Sequence, residues 1–200
     1  MTRRDRWQKR YQTEDTPWEI NRPDKHLLHL VKEKMRMPCS ILEIGCGTGT
    51  NAIWLAEQHF NVTGIDISAT AIERAKRCMQ AAGVQCEFLE ADFLTTLLKM
   101  RPFQWAIDRG CFHCCETLAE RQRFAEQVAA HLTDDGIWFT LTGNADDPPR
   151  DTGPPRLKAT ELITVVEPLF EILKLESVHF DSNRSRPPKA WFCLSRKRRR

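Results

Sequence analysis

Ser40-Ile41-Leu42-Glu43-Ile44-Gly45-Cys46-Gly47-Thr48-Gly49-Thr50-Asn51 is the stretch whose reading decides the fold of this chain. An apolar run carrying one acid enters three glycines and leaves into a helical pattern over Thr50–His59. Glycines at a strand-to-helix turn let the backbone approach a ligand closely and aim amide groups at it. A nucleotide-type ligand is therefore expected at this turn.

The glycine spacing narrows that ligand. A dinucleotide fingerprint would place glycine where Thr50 stands, and a Walker loop would need Lys followed by Ser or Thr where Thr50-Asn51 stands. The pattern here is Gly-x-Gly-x-Gly with Glu43 just before it. An acid at that place suits the positively charged methionine end of S-adenosylmethionine and repels pyrophosphate.

The rest of the chain alternates. Apolar strands are expected at Ile41–Ile44, Val62–Ile65, Cys86–Leu89, Phe103–Ile107 and Ile137–Leu141. Helices are expected at Thr50–His59, at Ala69–Ala82 between the N-cap Ser68 and the stop Gly83, and at Arg121–Leu132. Asp134-Asp135-Gly136 reads as a turn. Strands alternating with helices imply parallel strands joined by right-handed crossovers. Asp146–Pro155 then holds four prolines and a glycine, so a long loop is expected. A helix near Ala159–Val166 follows, then strands near Phe170–His179 and Ala190–Leu194 joined as an antiparallel hairpin.

Size and charge set limits on function. Two hundred residues at 41% hydrophobic content form one sizeable domain that needs no staples. Thirty basic residues stand against 27 acidic ones, and basic residues cluster at the ends, as Arg3, Arg4, Arg6, Lys9 and Arg10 and as Arg196 to Arg200. Such clusters can hold an anionic partner, but the preferred reading of the last five is a solvated, frayed tail. No apolar run approaches the roughly 20 residues of a membrane span, and no apolar segment follows the N-terminal charges as in a secretory signal. The eight cysteines are expected to be reduced thiols in the cytoplasm.

A parallel sheet with a terminal antiparallel hairpin, bearing acids at successive strand ends, resembles the class I S-adenosylmethionine-dependent methyltransferases. The resemblance covers nearly the whole chain from Ser40. It implies an α/β, doubly wound, mostly parallel seven-stranded sheet of Rossmann-like type in a single domain. Its parts are a leader (1–30), a cofactor-binding core (40–142), the proline-rich loop (143–158), the hairpin region (159–195) and the basic tail (196–200).

Ligands of open α/β sheets bind beyond the carboxyl ends of the strands. Gly45, Gly47 and Gly49 would form the floor under the methionine and ribose parts of S-adenosylmethionine. Asp66 closes the second strand roughly 20 residues beyond the first glycine, the separation of an acid that accepts from ribose hydroxyls. Its competing role is to cap the helix that begins near Ser68. By the resemblance Ile67 joins this cofactor set, Asp92 accepts from the adenine amine, and Phe93 packs on the ring. Asp108 stands where the class lines the methyl-transfer region.

Two further segments narrow the family. Trp7-Gln8-Lys9-Arg10-Tyr11 leads to Thr16-Pro17-Trp18-Glu19, and Asp108-Arg109-Gly110-Cys111-Phe112-His113 crosses the end of the fourth strand. Together they look like the thiopurine and thiol S-methyltransferase group with its tellurite-resistance-like relatives. That resemblance implies methyl transfer to a small, soft nucleophile such as a thiol. It also implies that Arg109 touches the cofactor and that Trp18 lies over donor and acceptor. A leader carrying Trp7, Tyr11 and Trp18 holds too much aromatic surface to hang in water, so it is expected to fold as a lid.

Thiols ionise in part unaided, with pKa near about 8.5, so no base is strictly required. If one assists, Asp108 and His113 are the candidates by position. Cys111, Cys114 and Cys115 around His113 lack the second cysteine pair of a structural zinc site, so no metal is expected. The chain lacks the Asn/Asp-Pro-Pro-aromatic signature of base-methylating enzymes at the fourth strand, and Asp147-Pro148-Pro149 ends in Arg150 instead. That argues against nucleic acid as acceptor. A macromolecular acceptor reached through the basic ends, a cofactor-binding protein without turnover, and nicotinamide-dependent chemistry are the competing readings.

Overall fold

A computed structural model describes residues 1–35, 38–148 and 153–199. Pro149 and Arg150 of the proline stretch and Arg200 of the basic end lie outside the described residues. The fold is a seven-stranded, mostly parallel α/β sheet with strand order β3-β2-β1-β4-β5-β7-β6. The chain divides into two compact units, Met1–Thr96 and Leu97–Arg200.

The first unit holds α1 (Arg3–Gln12), α2 (Lys25–Lys34), β1 (Ser40–Ile44), α3 (Thr50–Glu57), β2 (Asn61–Asp66), α4 (Ala69–Ala82) and β3 (Glu87–Glu90). β1 to β3 pair in parallel. Ile41, Leu42 and Ile44 are wholly buried, as an apolar run covered on both faces requires. Ser68 caps α4 by accepting from the Ala71 amide, and Gly83 ends it in the left-handed region, where a Cβ is costly. Phe88 of β3 packs against Gly49 and Gly64. A Cβ on either glycine would stand 2.6 and 2.8 Å from its ring. The last glycine of the turn is thus required by core packing as well as by its φ of +82°.

α1 carries few apolar residues, so no periodicity announces it, whereas α2 holds Leu27, Leu30 and Val31 at helical spacing. Both N-termini are encoded. Thr2 and Asp5 form a reciprocal capping box on α1, and Asp24 caps α2 by accepting from the His26 amide at 2.8 Å. α1 docks on the start of α4 through Gln8. Its carbonyl oxygen accepts from the Ser68 hydroxyl at 2.8 Å and the Thr70 amide at 3.2 Å, and its amide nitrogen donates to the Thr70 hydroxyl at 2.7 Å.

The second unit holds β4 (Phe103–Arg109), a 3-10 turn (Phe112–Cys114), α5 (Leu118–His131), β5 (Leu132–Gly143), α6 (Ala159–Val166), β6 (Phe170–His179) and β7 (Lys189–Lys197). β4 and β5 are parallel, and β7 runs antiparallel between β5 and β6. Trp138, wholly buried, packs with Phe112, Phe124 and Phe170 at ring separations of 5.3–6.0 Å.

Of the boundaries that differ from the sequence reading, two have a clear local cause. α5 starts at Leu118 rather than Arg121, because Thr117 and Glu120 form a capping box. Asp134–Gly136 lies inside β5, where a register shift opposite Phe103–Trp105 absorbs the extra residues and Asp135 takes a φ of +63°.

The basic end is also more ordered than a frayed tail. Arg196 and Lys197 close β7. Arg196 pairs with Glu171, Lys197 donates to the Leu132 carbonyl, Arg198 pairs with Glu167, and Arg199 with Asp135. Exposed pairs of this kind each contribute only about 0–1 kcal/mol, so β-ladder pairing holds the segment more than they do.

Candidate cofactor and methyl-transfer site

The Gly45–Gly49 turn is built from positive-φ glycines at 45, 47 and 49, which reverse the chain from β1 into α3. Four of its five amides are engaged. Gly45 and Cys46 both donate to the Ile65 carbonyl, Gly49 to the Cys46 carbonyl, and Gly47 to an Asp66 carboxylate oxygen at 3.0 Å. A phosphate nest needs such donors aimed outward. Here three of the donors go to β2 and one to the Cys46 carbonyl within the turn.

Acids surround the turn instead. Asp66 is buried; one oxygen holds Gly47 and the other accepts from the Ser68 amide at 2.9 Å. It thus holds the N-cap residue Ser68 in place, while Ser68 itself caps α4, and it still has lone pairs for another donor, since a carboxylate offers about four acceptor sites. Glu43, also buried, accepts from the Asn51 side-chain amide at 3.0 Å. The Asn51 oxygen accepts from the Asp24 amide, so one side chain ties α2's cap to the acid of β1. The sequence reading passed over Asn51, although it stands in the deciding stretch.

The leader covers the turn from outside. Tyr11 is buried, and its hydroxyl stands 2.8 Å from where a Cβ on Gly47 would be. Burial, reinforced by Asp66, raises the Tyr11 phenol well above its ordinary pKa, so it is a neutral hydroxyl. Trp18 donates to it at 3.3 Å and packs edge-on against Trp7 and Tyr11. The Arg10 guanidinium lies 4.4 Å over the Trp18 ring, a cation–π contact made within the leader. Glu19 completes the cover. Gln8 and Glu19 are polar partners that the leader motif contained but that local pattern did not single out.

Asp92 opens the segment after β3. Its side chain accepts from the Leu94 amide at 3.0 Å, and the Arg3 guanidinium lies 3.9 Å away. Phe93 beside it is buried, and Ile67 after Asp66 is partly exposed.

In the second unit, Asp108 is buried at the end of β4. Its oxygens accept from the Cys111 and Phe112 amides at 3.2 and 2.9 Å and from the Trp138 indole at 3.1 Å. Burial still raises its carboxyl to about 6. Arg109 donates to the Asp181 carbonyl and lies 5.6 Å over the Phe180 ring, tying the Asp-Arg-Gly turn to the β6–β7 loop. His113 is buried, and its Nδ1 accepts from the Gly143 amide at 2.6 Å. An Nδ1 that accepts has no proton, so the neutral ring carries its proton on Nε2. Among the described residues no group of three or more His, Cys, Asp or Glu is arranged to hold a metal ion.

Residues 2–193 match the thiopurine S-methyltransferase (TPMT) family. The chain belongs to that family. Probable thiol methyltransferase 2 of Arabidopsis thaliana is 30% identical over 173 residues, 84% of this chain and 75% of the relative. Thiocyanate methyltransferase 1 of Brassica oleracea is 29% identical over 154 residues, 74% and 65% of the two chains. A solved structure from work on conversion of a disulfide bond into a thioacetal group during echinomycin biosynthesis superposes with a TM-score of 0.86 at 22% identity. It covers 98% of this chain and 92% of its own, a likeness of fold.

As a member of the thiopurine S-methyltransferase family, the protein is an S-adenosylmethionine-dependent methyltransferase. The residues fit that cofactor. A turn ringed by carboxylates, with most of its amides engaged, suits a cationic nucleoside rather than a phosphate ester. Among the described residues no helix is long and apolar enough to cross a membrane.

A pH dependence follows from Asp66. Burial raises its carboxyl from 3.8 to about 6, although the Ser68 and Gly47 amides pull it down. The raised value means that its contribution to stability is full below 3.8 and is lost as pH climbs through about 6. Binding of the cationic cofactor has the opposite sign, because only the ionised form is a charged acceptor. Affinity is expected to tighten by up to about tenfold per unit below pH 6 and to level off above about 7. Calorimetric titrations across that range check it; Asp66→Asn should flatten the curve.

Proposed function

We propose that the protein methylates a small thiol or a related soft nucleophile, and that it works in the cytoplasm. The observation that carries this reading is the Gly143 amide donated to His113 Nδ1 at 2.6 Å. It leaves the ring an Nε2–H donor and not a proton acceptor. Asp108 is engaged by two amides and an indole N–H, so its role is to position the Asp-Arg-Gly turn. A nucleophile that arrives already ionised needs donors and no base, and thiols do so near neutral pH. The thiol and thiocyanate methyltransferases among the relatives support the same acceptor class. Eight cysteines present as free thiols support a reducing compartment.

S-adenosylmethionine, when bound, supplies an electrophilic methyl group on a sulfonium. The chain's own part is to hold and align. We assign Glu43, Gly45, Gly47, Gly49, Asp66 and Ile67 to the methionine and ribose parts. Asp92 and Phe93 take the adenine, and Trp18 and Arg109 the surroundings of the methyl group. The aromatic leader keeps water away, which favours direct displacement.

The test is methyl transfer from labelled cofactor to matched panels of thiols, phenols and amines, plus protein and RNA. Thiols are expected to be the best acceptors. Their kcat/KM should follow the ionised fraction of each free thiol, rising about tenfold per pH unit below its pKa. Faster labelling of amines, phenols or a macromolecule would overturn the proposal.

A further inference from the structure

We infer that Glu19 receives the ammonium group at the amino-acid end of the cofactor, a role that rests on the cofactor site assigned above. Its carboxylate is half engaged. One oxygen accepts from the Thr16 hydroxyl at 3.2 Å, which fixes the group's direction. The other oxygen, Oε1, is buried and has no hydrogen-bond partner. That atom lies 3.6 Å from where a Cβ on Gly47 would stand, on the side of the turn that Tyr11 also covers.

A buried acceptor left unpaired costs stability, and more when it is charged. A fold retains such a group where a ligand completes it. The surroundings identify the ligand's chemistry. Glu19 and Asp66 are close enough for Glu19 to raise the Asp66 carboxyl, and both raise the Tyr11 phenol, so negative potential gathers at Gly47. Arg10 of the leader stacks on Trp18 and pairs with Asp15. What remains is a demand for positive charge that can also donate a hydrogen bond. The cofactor carries two cations. Its sulfonium has no N–H or O–H to give, whereas its ammonium has three donors. Oε1 therefore matches the ammonium. Glu43, which accepts from Asn51, stands in β1 just before the turn and adds to the field.

The test compares binding of three ligands to the full chain and to Glu19→Gln by calorimetry. S-adenosylmethionine carries both cations, S-adenosylhomocysteine the ammonium alone, and 5′-methylthioadenosine neither. Glu19→Gln is expected to raise Kd about tenfold for the first two and less than about twofold for the third. Loss confined to S-adenosylmethionine would assign Glu19 to the sulfonium; equal loss on all three would assign it to the nucleoside or to folding. Either result overturns the inference, as does no loss at all. Should Glu19→Gln fail to fold, Glu19→Asp withdraws the same oxygen by one methylene and carries the same expectation. A native chain that binds none of the three ligands fails the cofactor site itself. Normal native binding with an insensitive Glu19 variant fails only this inference.

Discussion

Asp66→Ala is expected to raise the dissociation constant for S-adenosylmethionine by about ten- to a hundredfold, with a smaller loss of thermal stability. A charge-assisted hydrogen bond contributes about 1.5–3 kcal/mol, and about 1.4 kcal/mol is tenfold in affinity. The position adds to that figure. Asp66 holds the Gly47 amide at 3.0 Å and the Ser68 amide at 2.9 Å, so its removal also loosens the glycine turn and the start of α4. Asp66→Asn keeps one oxygen acceptor and should fall between. Calorimetry gives the affinities and a thermal melt the stability. An alanine variant that binds like the native chain would limit Asp66 to holding the Gly47 and Ser68 amides.

Gly47→Ala should be comparably damaging, for a different reason. Gly47 has a φ of +55°, where a Cβ costs about 1–2 kcal/mol, and the added methyl would meet the Tyr11 hydroxyl at 2.8 Å. The hydroxyl belongs to a buried leader residue held by Trp18, so it cannot swing away cheaply. We expect a drop in melting temperature of about 4–10 °C and a loss of cofactor affinity of at least about tenfold. Tyr11→Phe in the same chain removes the colliding oxygen and should recover part of the loss, but not the backbone part. A double variant no better than the summed single effects would show that the leader does not bear on the turn.

Much of the fold was legible because its signals are local. Glu43 to Asn51 announced a strand, a turn and a helix within one stretch. Ser68 and Gly83 marked both ends of α4, and the switch from helical alternation to a hairpin was visible after Pro155. The leader helices escaped: α1 buries only Tyr11, too few for a periodic stripe, while α2, with Leu27, Leu30 and Val31 at helical spacing, was passed over. Their caps at Thr2 and Asp24 were further clues. β5 was read short because Asp134-Asp135-Gly136 has turn chemistry, which the structure accommodates as a bulge inside the ladder.

The sequence by itself determined the α/β class, the positive-φ turn and the acids at the strand ends. Each follows from backbone preference or from periodicity over a few neighbouring residues. Only the tertiary structure decided how those groups are used. Three of the turn's amides go to Ile65 and Asp66, Phe88 fills the space that Gly49 and Gly64 leave, His113 receives its hydrogen bond from Gly143, and one oxygen of Glu19 is buried without a partner. The physical reason is the same in each case. Hydrogen-bond partners and close contacts are supplied by residues brought together in space, and no local pattern along the chain records them.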